Sequence, residues 1–261
     1  MRSKAKVVRH EWASRYQGSR HGPEVTERFS RTVRVGPTGA LDLSNIAGDI
    51  IVTGGSGDDV RIEAVKRARS RDASNAKTLL DELRIEVTEL PGRVEVRTLY
   101  PRNRRNYSGS VDFTITMPTG GRANLRSVSG DLRITNVKGE LRAESVSGDL
   151  ITSGATRLSL AKSVSGDIDV TNAAAEGEVT VSTVSGSVTA RGVKARALEL
   201  GSVSGDVFVT DVTCDRAVVK TVSGNLEYNG PLARNGRYEM SAHSGNVRLA
   251  ISGTTGFEVE A

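Results

Sequence analysis

The feature that most constrains this chain is a repeat. Ser-Gly pairs stand at Ser129-Gly130, Ser147-Gly148, Ser165-Gly166, Ser185-Gly186, Ser204-Gly205, Ser223-Gly224 and Ser244-Gly245, with successive glycines 18, 18, 20, 19, 19 and 21 residues apart. An earlier relative, Ile46-Ala47-Gly48-Asp49, places its glycine 82 residues before Gly130. A unit of this size cannot bury its apolar face alone, so consecutive units must stack on one another.

The flanks of each pair repeat as well. Val128, Val146, Val164, Val184, Val203, Val222 and finally His243 precede the serine, and Asp131, Asp149, Asp167, Ser187, Asp206, Asn225 and Asn246 follow the glycine. Apolar residues come next with polar ones between them, as in Leu132/Ile134, Ile168/Val170, Val188/Ala190, Val207/Val209, Leu226/Tyr228 and Val247/Leu249. That alternation is the period of a half-buried strand. A second strand per unit is read from Leu141/Ala143, Leu158/Leu160, Val179/Val181, Leu198/Leu200 and Tyr238/Met240. Two short strands and two tight corners in about 19 residues predict an all-β fold, a β-solenoid or single-stranded β-helix-like rod. Stacked at the ~4.8 Å strand spacing, seven such coils make a rod roughly 30 Å long. The valine column is expected to form an inward aliphatic ladder, Gly to supply the corner dihedral, and Asp or Asn to accept local backbone N–H groups.

The organisation then falls into three stretches. Residues 1–30 read as a basic, disordered tail, and residues 31–121 as a β-rich cap with the first coil. Residues 122–261 read as the repeat solenoid. Within the cap, Ala40–Asn45, Asp49–Thr53, Val60–Val65, Arg84–Thr88, Arg93–Leu99 and Val111–Met117 alternate as strands. Asp72–Leu83 carries Ala76, Leu79, Leu80 and Leu83 at helical spacing, with Asp72 or Ser74 as N-cap. A cap is needed because a terminal coil exposes unpaired strand edges. Pro101–Ser110 reads as a polar, basic loop, and Gly256–Ala261 as a strand-like end.

Composition agrees with a thin interior. Aromatic residues make up only 4% of the chain, which leaves Val, Leu, Ile and Ala to fill the core. The net charge of +5 belongs to the N-terminal stretch, where residues 1–34 hold nine Lys or Arg against three Glu. Such a tail can touch anionic surfaces non-specifically, but a solvated leader is the plainer reading. Cys214 is the single cysteine, so neither an intrachain disulfide nor a cysteine metal cage is expected. No apolar run approaches membrane-spanning length and no secretory signal is visible, so the chain as written reads as cytoplasmic. Residues preceding Met1 in the natural protein would instead place it in the cell envelope or outside the cell.

The units Ser127–Leu132, Ser145–Leu150, Ser163–Ile168 and Ser202–Val207, of pattern S-V-S-G-D-[LIV], together with Leu43–Ile50, resemble the bacterial putative-adhesin family, a domain of unknown function. The resemblance covers residues 30–261. It implies a β-helix-like rod, often associated with the cell envelope, with no established catalytic residues.

Several chemistries are weighed and set aside. Asp131, Asp149, Asp167 and Asp206 form a carboxylate column, but Ser187, Asn225 and Asn246 interrupt it, and calcium wants six to eight oxygens. Only Gly54–Asp59 follows the calcium nonapeptide pattern, and Arg61 stands where an inward apolar residue is needed. His10 and His21 lie in the tail, and His243 beside Asp206 or Ser244 is better read as a polar residue where the valine column frays. The outward Arg133, Glu140, Arg142, Glu144, Asp169, Glu199 and Glu227 mix signs without a catalytic cluster. The Arg-rich loop with Tyr107 belongs to no recognisable nucleic-acid module, so nucleic acid is not an expected partner. No catalytic, cofactor-binding or metal residue is therefore expected, and no cofactor. The leading expectation is a non-catalytic, adhesin-like binding surface for an envelope polysaccharide or a protein. Association of copies through the rod ends is the alternative, and a polysaccharide-active enzyme is the remote one.

Overall fold

The computed structural model describes residues 23–70, 72–101, 108–253 and 256–260. The first part of the chain forms β1 (Glu24–Arg34), β2 (Ala40–Ala47), β3 (Ile50–Gly55), β4 (Asp59–Arg69), α1 (Ala73–Glu82), β5 (Arg84–Leu90), β6 (Arg93–Leu99) and β7 (Ser108–Pro118). From there strands come in pairs, one pair per turn of the chain: β8 (Arg122–Ser129) with β9 (Leu132–Thr135), β10 (Glu140–Ser147) with β11 (Leu150–Ser153), and β12 (Arg157–Lys162) with β13 (Ile168–Thr171). The series continues through β14 (Glu178–Ser185) and β15 (Val188–Arg191), β16 (Ala197–Ser204) and β17 (Val207–Thr210), β18 (Arg216–Ser223) and β19 (Leu226–Pro231), and β20 (Arg237–Ser244) and β21 (Val247–Ser252).

The strands build two facing sheets. One runs β1-β4-β7-β3-β9-β11-β13-β15-β17-β19-β21 and is called sheet A here; the other runs β20-β18-β16-β14-β12-β10-β8-β2-β6-β5 and is called sheet B. With β2–β3 as the first rung, eight rungs stack in parallel, and the protein is a β-solenoid. Equivalent residues lie over one another, as Leu198 over Val179 and Ala217 over Leu198.

The core is a set of apolar columns between the sheets. Leu41, Ala123, Leu141, Leu158, Val179, Leu198 and Ala217 face inward from sheet B, and Ile50, Leu132, Leu150, Ile168, Val188, Val207 and Leu226 from sheet A. A layer this thin has little room for rings. The large ones, Phe113 and Tyr228, sit towards its two ends. One rung departs from the alternation: pairing of β10 with β12 slips after Leu141/Leu158, so Ala161 takes the inward place expected for Leu160, which is half-buried.

The excursion between the first and second rungs covers one end. β6 runs parallel to β2 and β7 parallel to β3, forming a further rung-like layer. On it lie the antiparallel β5, against β6, and β4, against β7, with β1 outermost on β4. The stretch 1–30, expected from sequence to be a tail, is corrected in its last residues, which belong to β1. Residues 24–30 are strand because alternate residues of β1 pack on β4 in register, from Glu24↔Arg69 to Arg34↔Asp59. Residues 1–22 lie outside the described part, as do His10, His21 and the 102–107 portion of the basic loop, whose last residues, Ser108–Ser110, already belong to β7.

α1 packs Ala76, Leu79 and Leu80 near Ala68 and Val25. Asp72 occupies the N-cap but makes no side-chain cap bond. The other helix end is held by Lys66, whose buried Nζ donates to the carbonyls of Leu80 (3.3 Å) and Leu83 (3.1 Å) and pairs with Glu27 at 3.0 Å. A cation on the last carbonyls also suits the negative end of the helix dipole.

Candidate binding surface

The Ser-Gly-Asp corner joins the two strands of every rung. Gly130, Gly148, Gly166, Gly186, Gly205, Gly224 and Gly245 have φ between 121° and 156°, a region closed to side chains. Each also lies against the glycine of the rung before it, so a Cβ there would overlap that residue's carbonyl oxygen. The Asp that follows acts between rungs rather than locally. Asp49 Oδ1 accepts from Asp131 N–H (3.0 Å), Asp131 Oδ1 from Asp149 N–H (3.0 Å), Asp149 Oδ1 from Asp167 N–H (2.9 Å) and Asp167 Oδ1 from Ser187 N–H (2.7 Å). Asp206 and Asn225 continue the pattern to Asn225 and Asn246. The second corner is turned by Asn136, Gly154, Asn172, Gly192 and Asp211, all left-handed with φ between 51° and 69°. These are the residue types that tolerate that conformation.

The valines are not inside. Val128, Val146, Val164, Val184, Val203 and Val222, with Ile46 before them, are 45–49% exposed. Strand alternation explains the correction. Ala123 and Leu125 face inward, so Ser127 faces inward next and Val128 outward. The buried column is thus Asn45, Ser127, Ser145, Ser163, Thr183, Ser202 and Thr221. A small hydroxyl suits this place beneath the glycine corner, because it can donate to the glycine carbonyl of the preceding rung. Thr183 bonds Gly166 O at 3.1 Å, Ser202 bonds Gly186 O at 2.8 Å and Thr221 bonds Gly205 O at 3.0 Å. Ser127 and Ser145 find no hydrogen-bond partner. The parity of Ala123 and Leu125 is the signal in the sequence that gives this direction.

The result is a one-residue-wide aliphatic stripe, about 29 Å long at the ~4.8 Å strand spacing from Ile46 to Val222. The exposed serines Ser129, Ser147, Ser165, Ser185, Ser204 and Ser223 run beside it at the corner. On its other side Arg126 pairs with Glu144 (3.7 Å), and Lys220 with Glu239 (2.7 Å). Further out, Glu140 lies between Arg122 (3.2 Å) and Arg142 (3.0 Å). Asp169 accepts from Thr171 Oγ1 at 2.7 Å, and Arg133 pairs with Asp131. Two shallow hollows on the outside of sheet B, of about 110 and 240 Å³, are lined mainly by charged groups such as Asp42, Arg93 and Glu95, or Glu178, Glu199 and Arg216. His243 takes the stripe position in the last rung and is exposed. Among the described residues no three His, Cys, Asp or Glu converge on a point that could hold a metal ion. No helix among them is long and apolar enough to cross a membrane.

Near the last rungs the core holds Tyr228 edge-on to Tyr238, ring centres 5.9 Å apart. Tyr228 OH donates to Pro231 O and Tyr238 OH to Cys214 O, each at 2.7 Å. Burial pushes the Tyr228, Tyr238 and Cys214 ionisations up. Cys214 is a packed core residue here.

Fold and surface together define a two-cornered parallel β-solenoid with an exposed aliphatic-hydroxyl edge. Residues 155–261, which hold the last five rungs, match the family model of the Toastrack domain DUF4097. The likeness to the putative-adhesin family drawn from the repeats stands. A solved structure from Bacteroides fragilis, named a putative adhesin, is 16% identical, with 85% of this chain and 97% of that chain covered, at a TM-score of 0.53. A protein of Parabacteroides distasonis named a putative lipid binding protein is 12% identical, with 85% and 96% covered and a TM-score of 0.38. One of Clostridium sporogenes named a putative cell adhesion protein is 12% identical, with 87% and 100% covered and a TM-score of 0.30. At these identities the likeness concerns the fold. No curated protein matches the chain.

Proposed function

We propose that this protein is a non-catalytic, adhesin-like binding solenoid, and that the stripe Ile46–Val222 with its serine border is the contact surface for an extended polymer of the cell envelope. The observation that carries this reading is the outward column itself: seven β-branched residues are held half-exposed in one continuous line, whereas the other outward apolar residues, such as Ile51 and Phe208, stand singly among polar and charged ones. Contiguous exposed apolar surface is uncommon on soluble proteins and often marks interaction sites. The competing explanation is intrinsic: β-branched residues favour strands and stabilise one another across neighbouring strands. The mixed charges beside the stripe, paired within the sheet, favour a partner without strong net charge.

Two sets of variants separate the explanations. Val146, Val164 and Val184 changed together to Thr keep the branched shape and lose the apolar surface; changed together to Lys, they add charge. Binding to immobilised envelope polysaccharides and to an envelope protein fraction should fall with both sets while thermal stability stays close to that of the parent. Unchanged binding by the Lys set would remove the stripe from the interface. Location at the cell envelope is part of this proposal, and fractionation of cells expressing the natural gene checks it.

A further inference from the structure

The C-terminal end of the solenoid is open in a way the other end is not. In the last rung Val247 and Leu249 are 43% and 45% exposed, although the residues they stack on, Leu226 and Tyr228, are fully buried. Tyr238 and Met240 of β20 are only half-buried, and β20 and β21 each have a neighbour on one side alone. Immediately beyond, Gly256–Glu260 lies unpaired, with Phe257 58% and Val259 63% exposed. An apolar edge and an apolar strand-like segment are thus both left uncovered within a few residues of each other.

Their sequences fit. The inward residue opening sheet B follows the inward residue opening sheet A by eight positions (Leu150 to Leu158) to twelve (Leu226 to Tyr238), and by ten from Val188 to Leu198 and from Val207 to Ala217. Ten positions beyond Val247 stands Phe257. Gly256-Phe257-Glu258-Val259-Glu260 then falls on Arg237-Tyr238-Glu239-Met240-Ser241 and on Arg216-Ala217-Val218-Val219-Lys220, apolar residue over apolar residue in both inward columns. The left-handed Gly253, with φ 109°, turns the chain after β21. We propose that Gly256–Glu260 is the sheet B strand of a ninth rung, and that it docks parallel to β20 of its own chain with Phe257 over Tyr238 and Val259 over Met240.

Docking satisfies the unpaired backbone groups along β20 and covers the sheet B half of the open core, so that the edges at this end become β21 and the outer side of Gly256–Glu260 itself. Free edges of this kind recruit strands from other chains, and the segment acts as a strap that replaces the eight-residue edge of β20 with a shorter one bearing Glu258 and Glu260. Glu258 comes beside Glu239, a like-charged neighbour, but Glu239 already holds Lys220 at 2.7 Å and both positions face solvent. The strap is independent of the binding role assigned to the valine stripe.

The test uses the full chain carrying Glu239→Cys and Glu258→Cys. These outward positions become lateral neighbours in the docked state, at a separation of about 5 Å that lies within the reach of a disulfide. Cys214 is buried and does not compete. Mild oxidation should link the pair within one chain, whereas Glu239→Cys with Glu260→Cys, two residues out of register, should link poorly. A second measurement needs no cysteine: Phe257→Asp with Val259→Asp should speed hydrogen exchange along the free edge of β20 roughly tenfold or more. Absence of the intrachain link, equal linking of the shifted pair, links formed only between chains, or unchanged exchange would each overturn the proposal.

Discussion

Gly166 stands directly against Gly148 one rung earlier, with φ 141°, and a Cβ on it would overlap the Gly148 carbonyl oxygen. Two independent demands, a dihedral closed to side chains and a backbone in contact, meet at one residue, and the same pairing recurs along the corner.

Gly166→Ala should therefore cost about 3 kcal/mol or more, since left-handed strain alone is worth ~1–3 kcal/mol and the contact adds to it. Gly57→Ala is the control. Its φ of 113° is equally unfavourable, but nothing lies within 4 Å of the new Cβ, so only the strain remains. Urea unfolding of the two variants measures the difference, and equal losses would mean that rung-to-rung contact is not what requires glycine.

Leu200→Ala should cost about 2–5 kcal/mol, as truncation of a buried aliphatic side chain does, while Val203→Ala three residues later should stay under ~1 kcal/mol. The comparison reads the direction of the valine column in solution. A larger loss at Val203 would turn that column back into the core.

The buried hydroxyl column predicts opposite signs for one chemical change. Ser202 bonds the Gly186 carbonyl at 2.8 Å, so Ser202→Ala should lose ~0.5–1.5 kcal/mol. Ser127 has no partner, and Ser127→Ala should be neutral or stabilising because an unsatisfied buried group is removed. Thermal melting of both variants checks it.

Stability should decline in alkali. Tyr228 and Tyr238 ionise later in the folded protein than in the unfolded chain, chiefly through burial. A raised folded value means that their contribution is complete below the ordinary tyrosine value of ~10 and is lost as pH rises from there towards the higher folded values. Tyr228→Phe should flatten that decline, and tyrosinate absorbance during an alkaline titration should show late-ionising tyrosines in the parent. A decline as steep in Tyr228→Phe would place its origin elsewhere.

Much of this architecture is legible in the residues. Gly48 and the later corner glycines, the Leu132/Ile134 type of alternation and the helical spacing of Leu79 and Leu80 each follow from a local rule, and each is found where that rule puts it. The candidate surface was legible in its residues but not in its direction. Val128 and its equivalents repeat as a core column would, and only the parity set by Ala123 and Leu125 sends them outward. The slip at Ser159, which seats Ala161 instead of Leu160, left no sign at all, because a bulge arises from pairing with a neighbour rather than from propensity.

By itself, the chain's order of residues determined the period, the corners and the two-strand content of each rung, because dihedral preference and apolar alternation act over a few neighbouring residues. Tertiary structure alone decided what those rungs meet. It set the Asp carboxylates on the N–H groups of the next rung, the serines beneath the glycine carbonyls and Lys66 on the end of α1, and it turned the valines to solvent. Those outcomes depend on atoms 14 to 82 residues apart brought together by stacking, and no local rule carries that distance.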